Sequence, residues 1–156
     1  ILNTAAYTSE YIAPQINICR TPVLGEEVIR RFNAFAGPAT FMAVTKKLDK
    51  DVKKGFLFPY NNYKNRIATA KFVTDIPMNK THRSFETLEK IEKSLSQHKC
   101  PKLILWGRKD FCFNDYFLNK WQDIYPEANV KVFEDAGHYV IEDAKEEVIG
   151  EMRQFI

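Results

Sequence analysis

The chain has 156 residues, of which 45% are hydrophobic and 28% charged, a balance that excludes a disordered tail or a low-complexity chain and gives enough apolar surface for one core. Its net charge of +3 is too small to argue for nucleic acid, but it is unevenly spread. Residues 1–99 hold 16 Lys and Arg against 9 Asp and Glu, whereas residues 100–156 hold 7 against 11, so the two parts differ in kind.

The first six residues, Ile1-Leu2-Asn3-Thr4-Ala5-Ala6, open without a methionine and have the text of a short buried strand. An apolar strand at the very start needs neighbours, so the chain is expected to be a fragment with a segment missing upstream. Residues 7–22 are polar and punctuated by Pro14 and Pro22. From Leu24 to Leu48 the apolar residues fall at helical spacing, broken at Gly37-Pro38. Val28, Ile29, Phe32 and Phe35 mark one helix, and Phe41, Val44 and Leu48 a second. Lys46 to Lys54 is a charged connection, expected to be a solvated face, and Phe56 to Tyr60 an aromatic loop around Pro59. A third helix carries Ile67, Ala70 and Phe72 and should stop at Asp75-Ile76-Pro77, because the residue before a proline is pushed out of the helical region. Ser84 is placed to cap a fourth helix with Leu88, Ile91 and Leu95 on one face. Residues 14–98 therefore form an all-helical layer.

The pattern then changes. Leu103-Ile104-Leu105-Trp106 is a near-continuous apolar run, as a strand covered on both faces requires, and Gly107 ends it. A helix over Asn114–Tyr125 carries Phe117, Leu118, Trp121 and Ile124, and a second strand covers Val130–Phe133. Asp143 followed by Glu146 has the pattern of a cap for a last helix carrying Val148, Ile149, Met152 and Phe155. The order is βαβα, which implies an α/β fold with a parallel sheet.

In such sheets the chemistry gathers beyond the carboxyl ends of the strands. Two loops occupy those positions, Gly107–Phe111 and Asp135–Tyr139, and each delivers a titratable side chain, Asp110 and His138. A carboxylate beside an imidazole is what a base and its orienter need: the acid accepts from one ring nitrogen and leaves the other free to take a proton. Gly137 permits a tight turn that aims the ring. On the residues alone, a surface histidine and a capping aspartate remain the alternative. His82 and His98 sit at polar helix ends, and no His, Cys, Asp or Glu set has metal-ligand spacing, so no metal or cofactor is expected. The three cysteines, Cys19, Cys100 and Cys112, make no disulfide framework and fit a reducing, cytoplasmic setting. Cys112 fits a small buried hydrophobe better than a reactive thiol. No apolar run reaches membrane-spanning length.

The text Pro101-Lys-Leu-Ile-Leu-Trp-Gly-Arg-Lys-Asp110, followed 28 residues after that aspartate by His138 in Asp135-Ala-Gly-His-Tyr, closely resembles the end of the α/β-hydrolase fold. There the catalytic acid follows the seventh strand and the histidine the eighth. The resemblance implies that residues 1–13 are the sixth strand and its exit, that 14–98 are the inserted helical cap, and that 99–156 carry strands seven and eight. Phe56-Leu-Phe-Pro-Tyr60, Asn65-Arg66-Ile67-Ala68 and Phe72–Pro77 resemble the cap of the haloalkane dehalogenase and epoxide hydrolase branch. Asp110-Phe-Cys-Phe-Asn-Asp and Asp135-Ala-Gly-His-Tyr-Val resemble the subgroup with the β-lactone decarboxylases of long-chain olefin synthesis. Some dehalogenases keep the acid after the sixth strand; Asn3 stands there in this chain, which leaves Asp110 as the acid.

The six glycines frame no nucleophile elbow, so the resemblance implies an enzyme whose nucleophile, an Asp, lies in the missing N-terminal half. This piece alone is then inactive. The implied substrate is small and hydrophobic, attacked to give a covalent ester that is hydrolysed by water activated by His138, with Asp110 orienting the ring and Phe111, Phe113 and Tyr139 as pocket candidates. A serine nucleophile would make it an esterase or C–C hydrolase instead. A non-catalytic ligand-binding protein of the same fold is the third alternative.

Overall fold

A computed structural model describes residues 1–156. All regular structure before residue 100 is helical: α1 (Pro14–Ile18), α2 (Leu24–Phe32), α3 (Ala36–Met42), α4 (Lys50–Leu57), a 3-10 turn (Phe58–Tyr60), α5 (Ile67–Thr74) and α6 (Phe85–Leu95). There follow β1 (Leu103–Gly107), α7 (Asp115–Ile124), β2 (Asn129–Phe133), α8 (Val140–Asp143) and α9 (Lys145–Phe155). No helix is long and apolar enough to cross a membrane.

The strands β1 and β2 pair in parallel, Leu103 opposite Asn129 through Gly107 opposite Phe133. On the other edge of β1 the start of the chain adds a single parallel bridge, Leu2 to Leu105, with Leu105 N donating to the Ile1 carbonyl at 2.8 Å. The expected strand over residues 1–6 is thus cut to its first two residues. Asn3 has φ 29°, and a residue in that left-handed region turns the chain out of the ladder.

Alternation along β1 explains why the run is apolar throughout. Ile104 and Trp106 enter one cluster with Tyr7, Leu95 and the α7 residues Phe117, Leu118 and Trp121. Leu105 enters another with Phe133, Ala136, Val140, Ala144 and Val148. Successive side chains of a strand point to opposite faces, so a sheet covered on both sides must be apolar at every position. Full burial of each of the leucine, isoleucine, valine and phenylalanine side chains among them contributes about 1.5–3 kcal/mol.

The chain after Asn3 is fastened across α7. Trp121 Nε1 donates to the Thr4 carbonyl at 2.7 Å, and the Tyr7 hydroxyl donates to the Phe117 carbonyl at 2.7 Å.

In the helical layer the structure corrects three boundaries. Gly37-Pro38 does not break a helix but lies in the first turn of α3, where a proline costs nothing because the first N–H groups have no intrahelical partner. The break comes earlier, at Asn33, which caps α2 with φ 52°, and Phe35 falls outside that helix. Most of the expected charged connection and aromatic loop is helix α4 and the 3-10 turn; the Asp49 side chain caps α4 by accepting from Asp51 N at 2.8 Å. The proline-punctuated stretch also contains α1, with Pro14 in its first turn. Asp75–Pro77 ends α5 as the proline rule requires, and α6 begins after Ser84, although no side-chain cap forms there.

Candidate active site

Asp110 and His138 stand on the two loops that follow β1 and β2. The loops are pressed together backbone to backbone. A Cβ on Gly107 would lie 2.3 Å from the Gly137 carbonyl oxygen, so only glycine fits. Lys109 N donates to the Ala136 carbonyl at 2.9 Å, and Arg108 N to the Phe133 carbonyl at 3.0 Å. This contact brings the two side chains within reach: His138 Nδ1 lies 2.8 Å from Asp110 Oδ2.

Asp110 is 3% exposed and every direction around its carboxylate is filled. Oδ1 accepts from Cys112 N at 2.7 Å and Phe113 N at 3.0 Å, and Oδ2 accepts from Asn3 Nδ2 at 2.7 Å as well as meeting the histidine. A buried acid surrounded by three N–H donors is an acceptor, so the proton of its bond to the ring belongs to Nδ1. That fixes the tautomer and leaves Nε2 as the basic nitrogen, which makes no hydrogen bond within the chain.

Asn3 completes the acid's setting. Its Oδ1 accepts from Gly107 N at 2.7 Å and its Nδ2 donates to the Gly107 carbonyl at 3.2 Å, so the amide is held at the end of β1 while it donates to Asp110. The sequence had marked Asn3 only for not being an acid. Its donor role shows in the positive φ and buried amide, which arise only once the chain has folded.

His138 lines a cavity of about 560 Å³ between the α/β part and the helical layer. The wall is mostly apolar, with Phe113, Phe117, Phe72, Ile76, Leu88 and Ile91 among its residues. Of the three aromatic pocket candidates, Phe113 lines the cavity, its ring 5.7 Å from the imidazole. Phe111 does not line it. Neither does Tyr139, which stacks on Phe56 at 4.7 Å and 8° and whose phenol is pushed up by burial and by nearby Tyr60.

Cys112 also faces the cavity, but burial, with the Asp110 charge second, pushes its thiol up to about 12. It stays protonated and unreactive near neutrality. Asp135 pairs with Lys109 at 2.7 Å on the surface, and the hydrogen bond to that lysine lowers its pKa. His98 is exposed, whereas His82 is half-buried, its Nδ1 accepting from Ser84 N and its Nε2 3.8 Å from Asp75. No group of three His, Cys, Asp or Glu side chains is disposed to hold a metal ion.

Gly137 has no positive φ, so it is not needed to turn the chain. Its requirement is space: a Cβ there would stand 2.9 Å from the Ala43 carbonyl oxygen of the helical layer. Asp143 likewise is not a helix cap. It ends α8, is 4% exposed and turns its carboxylate back to Gly137 N at 2.8 Å.

Comparison with known proteins agrees with this architecture. The model of the alpha/beta hydrolase fold family matches residues 22–145. A cis-3-alkyl-4-alkyloxetan-2-one decarboxylase of Shewanella oneidensis is 38% identical over 161 residues, covering 100% of this chain and 51% of that protein. Its namesake from Xanthomonas campestris is 38% identical over 160 residues, covering 100% and 53%. Among solved structures, the haloalkane dehalogenase DbeA from Bradyrhizobium elkani superposes with a TM-score of 0.80 at 20% identity, covering 90% of this chain and 48% of that one. The chain spans about half the length of the curated relatives it matches.

Proposed function

Because this chain belongs to the alpha/beta hydrolase fold family and spans the C-terminal portion of that fold, we propose that the complete protein is a dehalogenase-like enzyme in which His138 is the base and Asp110 its orienting acid. The observation that carries this is the 2.8 Å bond from His138 Nδ1 to a buried, fully satisfied carboxylate, at the wall of an apolar cavity. A carboxylate upstream of Ile1 attacks an apolar substrate at carbon. The bond to the leaving group breaks with its electron pair, and an ester to the enzyme forms. His138 Nε2 then takes a proton from water as the water oxygen adds to the ester carbonyl. Collapse expels the substrate oxygen, which receives the proton from the imidazolium, and the carboxylic acid left on the enzyme releases its remaining proton to solvent, which restores the carboxylate. Asp110 stays ionised throughout and stabilises the imidazolium. The apolar walls keep other water away.

A second reading of the substrate is favoured by the identity of 38% to two proteins named as cis-3-alkyl-4-alkyloxetan-2-one decarboxylases. A β-lactone carrying two alkyl chains suits the apolar cavity. The same carboxylate would open the ring at the carbon bearing oxygen. The carboxylate so released leaves as CO2, its C–C electron pair forms the alkene, and the ester C–O bond breaks to return the nucleophile. No water is consumed, and a protonated His138 serves as hydrogen-bond partner of the ring-opened carboxylate.

One experiment separates the two. The complete protein is given a primary bromoalkane or a cis-dialkyl β-lactone in oxygen-18 water, and products are read by mass spectrometry. Bromide and alcohol support the hydrolytic reading, with His138→Gln trapping the ester as a mass increment on the protein. Alkene and CO2 from the lactone, with no label entering the protein, support the second. Turnover of neither, with cleavage of a simple ester instead, assigns a serine nucleophile and overturns both.

A further inference from the structure

We propose that Asp143 is a positioning residue for His138, one that fixes the histidine turn by clamping it to the main chain of the helical layer. The proposal rests on His138 being the base.

Asp143 touches neither the imidazole nor the cavity, yet it is a buried carboxylate that the chemistry above leaves unused. Its Oδ2 accepts from Gly137 N at 2.8 Å and Thr45 N at 2.9 Å, and its Oδ1 from Thr45 N and Lys46 N, both at 3.0 Å. One carboxylate therefore joins the residue before the histidine to the segment that follows α3. The residue after the histidine is tied to the same segment, since Tyr139 N donates to the Ala43 carbonyl at 2.7 Å. His138 is thus held at both flanking amides, directly by Asp143 on one side and by a segment that Asp143 fixes on the other. Two further bonds run across the joint, from Thr45 Oγ1 to the Asp135 carbonyl and from Lys46 Nζ to the Asp143 carbonyl.

The clamp needs a carboxylate. All three partners are backbone N–H donors, and an ionised carboxylate offers only acceptor lone pairs, in bonds stronger than neutral ones. An asparagine in its place would turn its own NH2 group toward Gly137 N or toward Thr45 N and Lys46 N, donor against donor. Asp110 fixes the ring's tautomer, while Asp143 fixes the backbone from which the ring projects. Catalytic geometry is sensitive to displacements of about 1 Å, so a loosened turn loses the aim of Nε2.

The test reads the histidine itself. In the complete protein, a His Nδ1 proton bonded to a buried carboxylate gives a far-downfield proton NMR resonance, assigned by its loss in His138→Gln. In Asp143→Asn we expect this resonance to broaden and its exchange with solvent to quicken by about tenfold or more, the scale of losing a charge-assisted bond, while the rest of the spectrum stays dispersed. An Asp143→Asn protein with the resonance at the same shift and exchange rate overturns the proposal. A wild-type spectrum without the resonance instead overturns the His138–Asp110 pairing on which it rests. Thr45→Pro removes the amide shared by both oxygens and keeps the carboxylate. It reports the same signal should the Asp143 variant not fold: quickened exchange supports the clamp and an unchanged resonance overturns it.

Discussion

At the scale of single residues, the acid loop is held by an amide that does two tasks at once. Replacing Asn3 by alanine removes the donor to Asp110 Oδ2 and strands the N–H of Gly107 in a buried place, while the Gly107 carbonyl keeps only its bond from Asp110 N at 3.3 Å. The new side chain must also keep a φ near 29°, which alanine disfavours. We expect Asn3→Ala to lower unfolding stability by about 3 kcal/mol, read from denaturant midpoints of the complete protein. Cys112 gives a second prediction. Its thiol, normally ionising near 9, is raised to about 12 in the fold by burial, with the Asp110 charge second. A group whose folded pKa is raised contributes stability that is fully present below the unfolded value. That stability should fall as pH climbs from 9 to 12, and Cys112→Ala should flatten the fall. At pH 8, alkylation should label exposed Cys100 and spare Cys112, as read by peptide mass.

At the scale of elements, the joint between the two loops sets a hard limit on sequence. A methyl group on Gly107 would overlap two carbonyl oxygens, those of Gly137 at 2.3 Å and Ala136 at 2.7 Å, and neither is a flexible side chain that could step aside. Gly107→Ala should cost about 3 kcal/mol and weaken the Asp110–His138 bond, measured by thermal unfolding and by the downfield proton. The elements themselves were legible unevenly. The apolar run of β1 and the α7 face showed at once, because burial on both sides of a strand and on one side of a helix leaves a strong periodic signal. The helix α4 did not. Its sequence, KDVKKGFL, contains no fully buried residue and only a short apolar face of Val52, Phe56 and Leu57 inside a charged run, and it starts at its Asp49 cap. Gly37-Pro38 misled because a proline is found both in the first turn of a helix and just past its end, and here it stands in the first turn. The pairing of Asp110 with His138 was left open by the loops alone and followed from the resemblance to the α/β-hydrolase fold, whereas the roles of Asn3 and Asp143 depend on where backbone amides fall after folding and left no pattern to read.

At the scale of the molecule, the two parts are unequally built. Clusters of 7 and 6 buried residues cover the two faces of β1, whereas the helical layer has one cluster of 3, Ile29, Ala70 and Val73. The layer relies instead on arginines that donate to helix-end carbonyls: Arg66 to Arg30, Arg31 and Tyr60, and Arg20 to Val73 and Ile76. A thin apolar centre held by polar ties opens more readily than a sheet core. Native-state hydrogen exchange of the complete protein should therefore show α2 and α5 opening at lower free energy than β1 and β2. Arg66→Met should widen that gap by about 2 kcal/mol without moving the strands.

The joint at Asp143 reaches the helical layer mainly through the peptide groups of residues 43–46 and draws on few of their side chains. Every amino acid brings a peptide carbonyl and every one but proline an N–H, so most of this seam is indifferent to the text written across it. A helical layer of quite different composition could be grafted onto the same α/β part without disturbing the histidine. In the reaction proposed above, substrate preference and acid–base chemistry are in this way free to evolve on separate schedules within one chain.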